Sequence, residues 1–116
     1  MLGFKKLTLE GSISPSAGKI YFPVEILKTT HLLHNQYYEI RVRKPNLILL
    51  TPAEERGYGV YRLIIGYRQG NPYYASFDSR KLTRKLLTAF ESISRTEKTY
   101  FKISTKGKTI RLKLEG

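Results

Sequence analysis

The sequence predicts an α+β protein in which a β-α-β-β half over residues 1–52 is joined by a short linker to a basic β-β-α-β-β half over residues 58–116. Three observations carry that expectation. The stretch from Gly18 to Pro52, GKIYFPVEILKTTHLLHNQYYEIRVRKPNLILLTP, switches from strand-like to helix-like patterning and back. The segment from Ser79 to Ser94 recurs at helical spacing, with Leu82, Leu86, Ala89, Phe90 and Ile93 on one apolar stripe. Between the two, Thr51 to Gly59, TPAEERGYG, has the composition of a linker.

Phe4 to Glu10 alternates as a short strand with a mixed face. Gly11 to Gly18, GSISPSAG, reads either as a flexible hairpin tip or as a loop whose serines and backbone amides approach phosphate oxygens. In the strand Ile20-Tyr21-Phe22, Ile20 and Phe22 face the core while Lys19 and Tyr21 face away. Pro23 ends that strand and supplies the fixed φ of a first helical position, so Val24 to Thr30 opens a helix. Tyr38, Ile40 and Val42 then alternate with Glu39, Arg41 and Arg43, and Lys44-Pro45-Asn46 turns the chain into Leu47 to Leu50.

In the second half, Val60 to Arg68 and Tyr73 to Phe77 flank the turn Gln69-Gly70-Asn71-Pro72. Asp78 or Ser79 caps the following helix by accepting from a free first-turn amide. Arg80, Lys81, Arg84, Lys85 and Arg95 lie opposite its apolar stripe, with Glu91 the one interleaved acid. With Lys106-Gly107 as central turn residues, the last hairpin pairs Ile103 with Ile110 and Phe101 with Leu112. Lys102 then falls opposite Arg111, and Tyr100 opposite Lys113. Like charges facing each other across strands destabilise a sheet unless an anion offsets them.

Residues 9–52 resemble the AbrB/MazE/SpoVT family of swapped-hairpin DNA-binding domains. The resemblance rests on Gly18-Lys19, Ile20-Tyr21-Phe22-Pro23, Glu25-Ile26-Leu27, Leu32-Leu33, Tyr38-Glu39-Ile40-Arg41-Val42 and Leu47-Ile48-Leu49, in the family's order and without gaps. Of the family's basic positions Lys19 and Lys28 remain, while Ser12 and His31 stand where it commonly has a basic residue and glycine. The resemblance implies a homodimer with a shared core, whose hairpins present Lys19, Lys28 and backbone groups to duplex DNA. A half of that size is marginally stable alone, which suits a swapped dimer.

The 21 Lys and Arg against nine Asp and Glu give a net charge of +12, unevenly spread. Residues 1–56 hold eight basic and five acidic side chains, or +3, and residues 57–116 hold thirteen and four, or +9. Such an imbalance points to a polyanionic partner, nucleic acid first among them. There is no cysteine, hence no disulfide framework and no thiolate chemistry. His31 and His34 lack the further ligands of a metal site and read as structural. Neither a phosphate-loop motif nor a catalytic triad context appears, so the expectation is a non-enzyme without cofactor, metal or small-molecule substrate. Met1 to Leu9 is too short and charged for a signal peptide, and the longest aliphatic run, Leu47 to Leu50, is far shorter than a membrane span; the expected location is cytoplasmic.

The expected function is DNA binding by a dimeric AbrB-like transcription regulator. The candidate contacts are Lys19, Lys28, Arg80, Lys81, Arg84, Lys85, Lys102, Arg111 and Lys113. The alternatives are a nonspecific DNA- or RNA-binding protein using the basic C-terminal half, and an assembly protein without nucleic acid.

Overall fold

Eight antiparallel strands close into a barrel in the computed structural model, which describes residues 9–29 and 36–115, with only the backbone of Lys28 and Thr29. In chain order the elements are β1 (Leu9–Ser14), β2 (Lys19–Phe22), α1 (Ile26–Thr29), β3 (Tyr37–Arg43), β4 (Leu47–Ala53), β5 (Val60–Arg68), β6 (Asn71–Asp78), α2 (Arg80–Ala89), β7 (Thr99–Lys106) and β8 (Thr109–Leu114). Around the barrel the order is β1-β2-β6-β5-β3-β4-β8-β7, with β7 returning to β1. This overturns the predicted α+β fold and the swapped-hairpin architecture implied by the resemblance. Strands assigned to separate halves pair with one another: β2 with β6, β3 with β5, β4 with β8 and β1 with β7.

The physical reason lies in where the apolar faces go. Alternation puts Ile13, Ile20, Phe22, Tyr38, Ile40, Ile48, Leu50, Leu63, Phe77, Phe101, Ile110 and Leu112 inside, and strands of both halves contribute to one cluster. Closure supplies both the missing partner face and the missing edge partners within a single chain. Eight strands enclose a space that side chains fill. Here Tyr38, Phe77, Phe22 and Phe101 form a chain of edge-to-face rings across it, at centroid separations of 6.2, 5.6 and 5.8 Å.

The local elements follow the sequence more closely. Ile20 and Phe22 are buried and Lys19 and Tyr21 are not, as the alternation predicts. Pro23 accepts from the Ile26 amide at 3.1 Å, so the chain leaves β2 through a turn before the short α1, whose Ile26 and Leu27 are buried. Of the strand expected over Phe4 to Glu10, Leu9 and Glu10 lie within the described residues and open β1. Gly11 to Ser14, read as loop, continues that strand, and the turn is confined to residues 15–18. His31 and His34 lie outside the described residues.

Ser79 caps α2, its Oγ accepting from the Leu82 amide at 3.1 Å. Leu82 and Leu86 enter the core from the helix. The helix stops at Ala89 rather than Ser94, yet Phe90 and Ile93 still reach the core from non-helical backbone. Side-chain oxygens compete with the helix there: Thr99 Oγ1 accepts from the Ser94 amide, and Ser94 Oγ from those of Thr96 and Glu97.

The last hairpin is shifted by two residues from the predicted register. Gly107, at φ +60°, and Lys108 are its central pair, as a turn needing positive φ at its first central position requires. Ile103 therefore faces Leu112, Phe101 faces Leu114, Lys102 faces Lys113 and Ser104 faces Arg111. A shift of two leaves each side chain on its predicted face.

Burial pushes the Tyr38 phenol well above its ordinary value, and raises Tyr61 for the same reason with Tyr58 adding to it. A folded pKa above the unfolded one, about 10, makes a contribution that is full below pH 10 and lost as pH rises beyond it. Absorbance titration should show Tyr38 staying protonated above pH 10 for as long as the protein is folded, with unfolding becoming easier there. Ionisation of Tyr38 near pH 10 in the folded protein would contradict this packing.

Candidate nucleic-acid interface

The barrel's outer surface over β3, β4, β8 and β7 carries cations in register. Cross-strand partners share a face, so one row reads Arg43, Leu47, Lys113, Lys102 and Glu10, and the next Arg41, Leu49, Arg111 and Ser104. Arg41, Arg43, Lys102 and Lys113 are exposed, and Leu47, Leu49 and Arg111 are half-buried. The Leu114 amide donates to the Asn46 carbonyl at 2.8 Å, and Asn46 Nδ2 donates to the Leu114 carbonyl at 3.4 Å, which ties the β3–β4 turn to the end of β8. Arg41 meets Glu39 at 2.9 Å and Lys102 meets Glu115 at 3.7 Å. Among the described residues no ion pair engages Arg43, Arg111 or Lys113.

A second cationic surface lies where α2 passes the chain entering β5. A groove of about 570 Å³ is walled on one side by residues 57–61 and on the other by Lys81, Arg84 and Lys85. Those three sit at i, i+3 and i+4, on one helical face. Their placement has an energetic cost, since like charges at i and i+4 repel and cations in the first turn oppose the helix dipole. No acid occupies that turn to compensate.

The remaining sequence candidates are engaged elsewhere or lie beyond description. Lys19 pairs with Asp78 at 3.2 Å, and the hydrogen bond and charge of Asp78 hold its ammonium above the usual lysine range. Arg80 turns from the groove and donates from Nη1 to the Ser16 carbonyl at 3.2 Å, bracing the β1–β2 turn. The side chain of Lys28 is outside the described residues. The implied DNA-reading pair therefore reduces to Lys19, which is held against a carboxylate.

No family model, curated protein or solved structure matches this chain.

Sequence reasoning missed Arg41, Arg43 and Tyr58 as members of these surfaces. The alternation of Arg41 and Arg43 with core residues was legible; that they share a face with Lys102 and Lys113 depends on β4–β8 pairing, which local pattern does not encode. Tyr58 lies in the stretch with linker composition, and its flanking glycines are the signal that a built turn stands there. Among the described residues no group of three His, Asp or Glu side chains is placed to hold a metal ion, and no helix is long and apolar enough to cross a membrane.

Proposed function

We propose that this is a cytoplasmic nucleic-acid-binding protein that grips the phosphate backbone through the β3-β4-β8-β7 face, without base-specific readout. The observation that carries the reading is the direct opposition of Lys102 and Lys113, flanked by Arg111, Arg43 and Arg41. Facing like charges cost a sheet stability, and a polyanion laid across the strands removes that cost. Extended β-branched and aromatic strands hold the cations on a rigid surface, so phosphate contacts position the ligand without a protein element aimed into a groove. With the swapped hairpin absent, an AbrB-like mode of duplex reading has no framework here.

The test is the salt dependence of binding to matched duplex and single strands of two unrelated sequences. Each phosphate neutralised by Lys or Arg releases condensed counterion, giving a slope of log affinity against log salt near −0.9 per contact on duplex and about −0.7 on single strands. The expected result is a steep slope of several contacts and affinities alike for the two sequences. Absence of binding at low salt would remove the reading and favour an assembly role, and a strong preference for one sequence would contradict backbone-only recognition.

A further inference from the structure

We propose that the groove between α2 and the Gly57–Val60 turn holds an unpaired stretch of nucleic acid, with a base stacked on Tyr58 and the adjoining phosphates on Lys81, Arg84 and Lys85. The protein then prefers single strands to duplex. This rests on the nucleic-acid reading above and adds the form of the ligand.

Tyr58 is 99% exposed, the most exposed of the large hydrophobic side chains described. It does not sit on slack chain. The Val60 amide donates to the Gly57 carbonyl at 3.2 Å, closing a four-residue turn with Tyr58 and Gly59 at its centre. Gly59 has φ +74°, the left-handed backbone that a type II turn demands at its third position. The Ile40 amide donates to the Gly59 carbonyl at 2.9 Å, so the turn is pinned to β3. A rigid turn thus holds an aromatic ring in water, beside three cations whose own placement on the helix is unfavourable without an anion.

Ring and cations share one groove, and among the described residues no carboxylate lines it. That pairing selects the ligand class. Free phosphate or an acidic peptide satisfies the cations and leaves the ring idle. A single strand offers both a π face and a phosphate at each step, and stacking tolerates any base. A duplex keeps its base faces inside the stack and so cannot use Tyr58. The groove volume also lies within the range of small-ligand clefts, roughly 300 to 1,000 Å³, large enough for a base.

The experiment uses the full chain and fluorescently labelled oligothymidylate, compared by anisotropy with a hairpin duplex at one low salt concentration. Tyr58→Ala is expected to weaken oligothymidylate binding roughly ten- to a hundredfold while leaving duplex affinity unchanged, and Tyr58→Phe to retain wild-type affinity for both. Since Tyr58 is exposed, the thermal melting of these variants should match wild type. Gly59→Ala, strained at positive φ, should weaken single-strand binding by disturbing the same turn. Oligothymidylate affinity unchanged in Tyr58→Ala, with duplex still bound, would overturn the stacking site and leave the backbone-binding face standing. Failure of the wild type to bind either strand form would overturn both. Displacement of oligothymidylate by polyglutamate at equal charge concentration would reduce the groove to a simple anion site and overturn the proposal.

Discussion

Phe77→Ala is expected to lower the free energy of unfolding by about 3–5 kcal/mol, as truncation of a buried phenylalanine does. Phe77 is 1% exposed and, from β6, links a ring on β2 to a ring on β3 in the barrel interior. Its ring meets Phe22 edge-on at 5.6 Å and 78°, and Tyr38 at 6.2 Å and 82°. Losing it removes both ring contacts and leaves a cavity that closed strands cannot collapse to fill. Against a total stability of about 5–15 kcal/mol, that is enough to unfold a weakly stable barrel. Urea titration should show a lowered midpoint with an unchanged slope. A loss below about 1 kcal/mol would mean that Phe77 does not bridge β3 and β2 as described. Phe22→Ala belongs to the same ring chain and is expected to be costly for the same reason.

That prediction needs pairings the sequence does not display. Alternation told which of Ile20, Tyr21 and Phe22 faces inward, because the side-chain period of a strand is local. Helix α2 was legible from its Ser79 cap and its Leu82–Leu86 stripe, and the β3–β4 and β5–β6 hairpins from short turns. The neighbour of β2 was not legible, since any strand with an inward apolar face satisfies Phe22 equally well in pattern. The linker composition of residues 51–59 suggested two separate units, whereas β4 runs to Ala53 and the remaining loop leads straight into β5 of the same barrel. Of the cations expected on one face of α2, Lys81, Arg84 and Lys85 line one groove, Arg80 is diverted by the Ser16 carbonyl, a contact 64 residues away in sequence, and Arg95 lies beyond the helix end at Ala89. Lys102, Arg111 and Lys113 kept their predicted face despite the shifted register, because the shift was even.

Reversing charge on the barrel face is expected to separate stability from binding. Lys113 lies directly opposite Lys102, and Arg111 opposite Ser104, with Leu47 and Leu49 on their other side. Lys113→Glu replaces a repulsive cross-strand pair with an attractive one, so the folded state should gain about 0.2–1 kcal/mol. The same substitution removes a phosphate contact and adds a repulsive charge. Combined with Arg111→Glu it should reduce duplex affinity by about a hundredfold or more at low salt and flatten the log–log salt slope by roughly 1.8, two contacts' worth. Single-strand affinity should fall as well, whereas the Tyr58 effect on the single-strand complex should persist in the reversed background. A residue retained for the fold loses stability when changed; one retained for a polyanion gains it and loses the ligand. Urea midpoints alongside anisotropy decide the matter, and a less stable Lys113→Glu variant or undiminished affinity in the double variant would show that this face is not where nucleic acid lies.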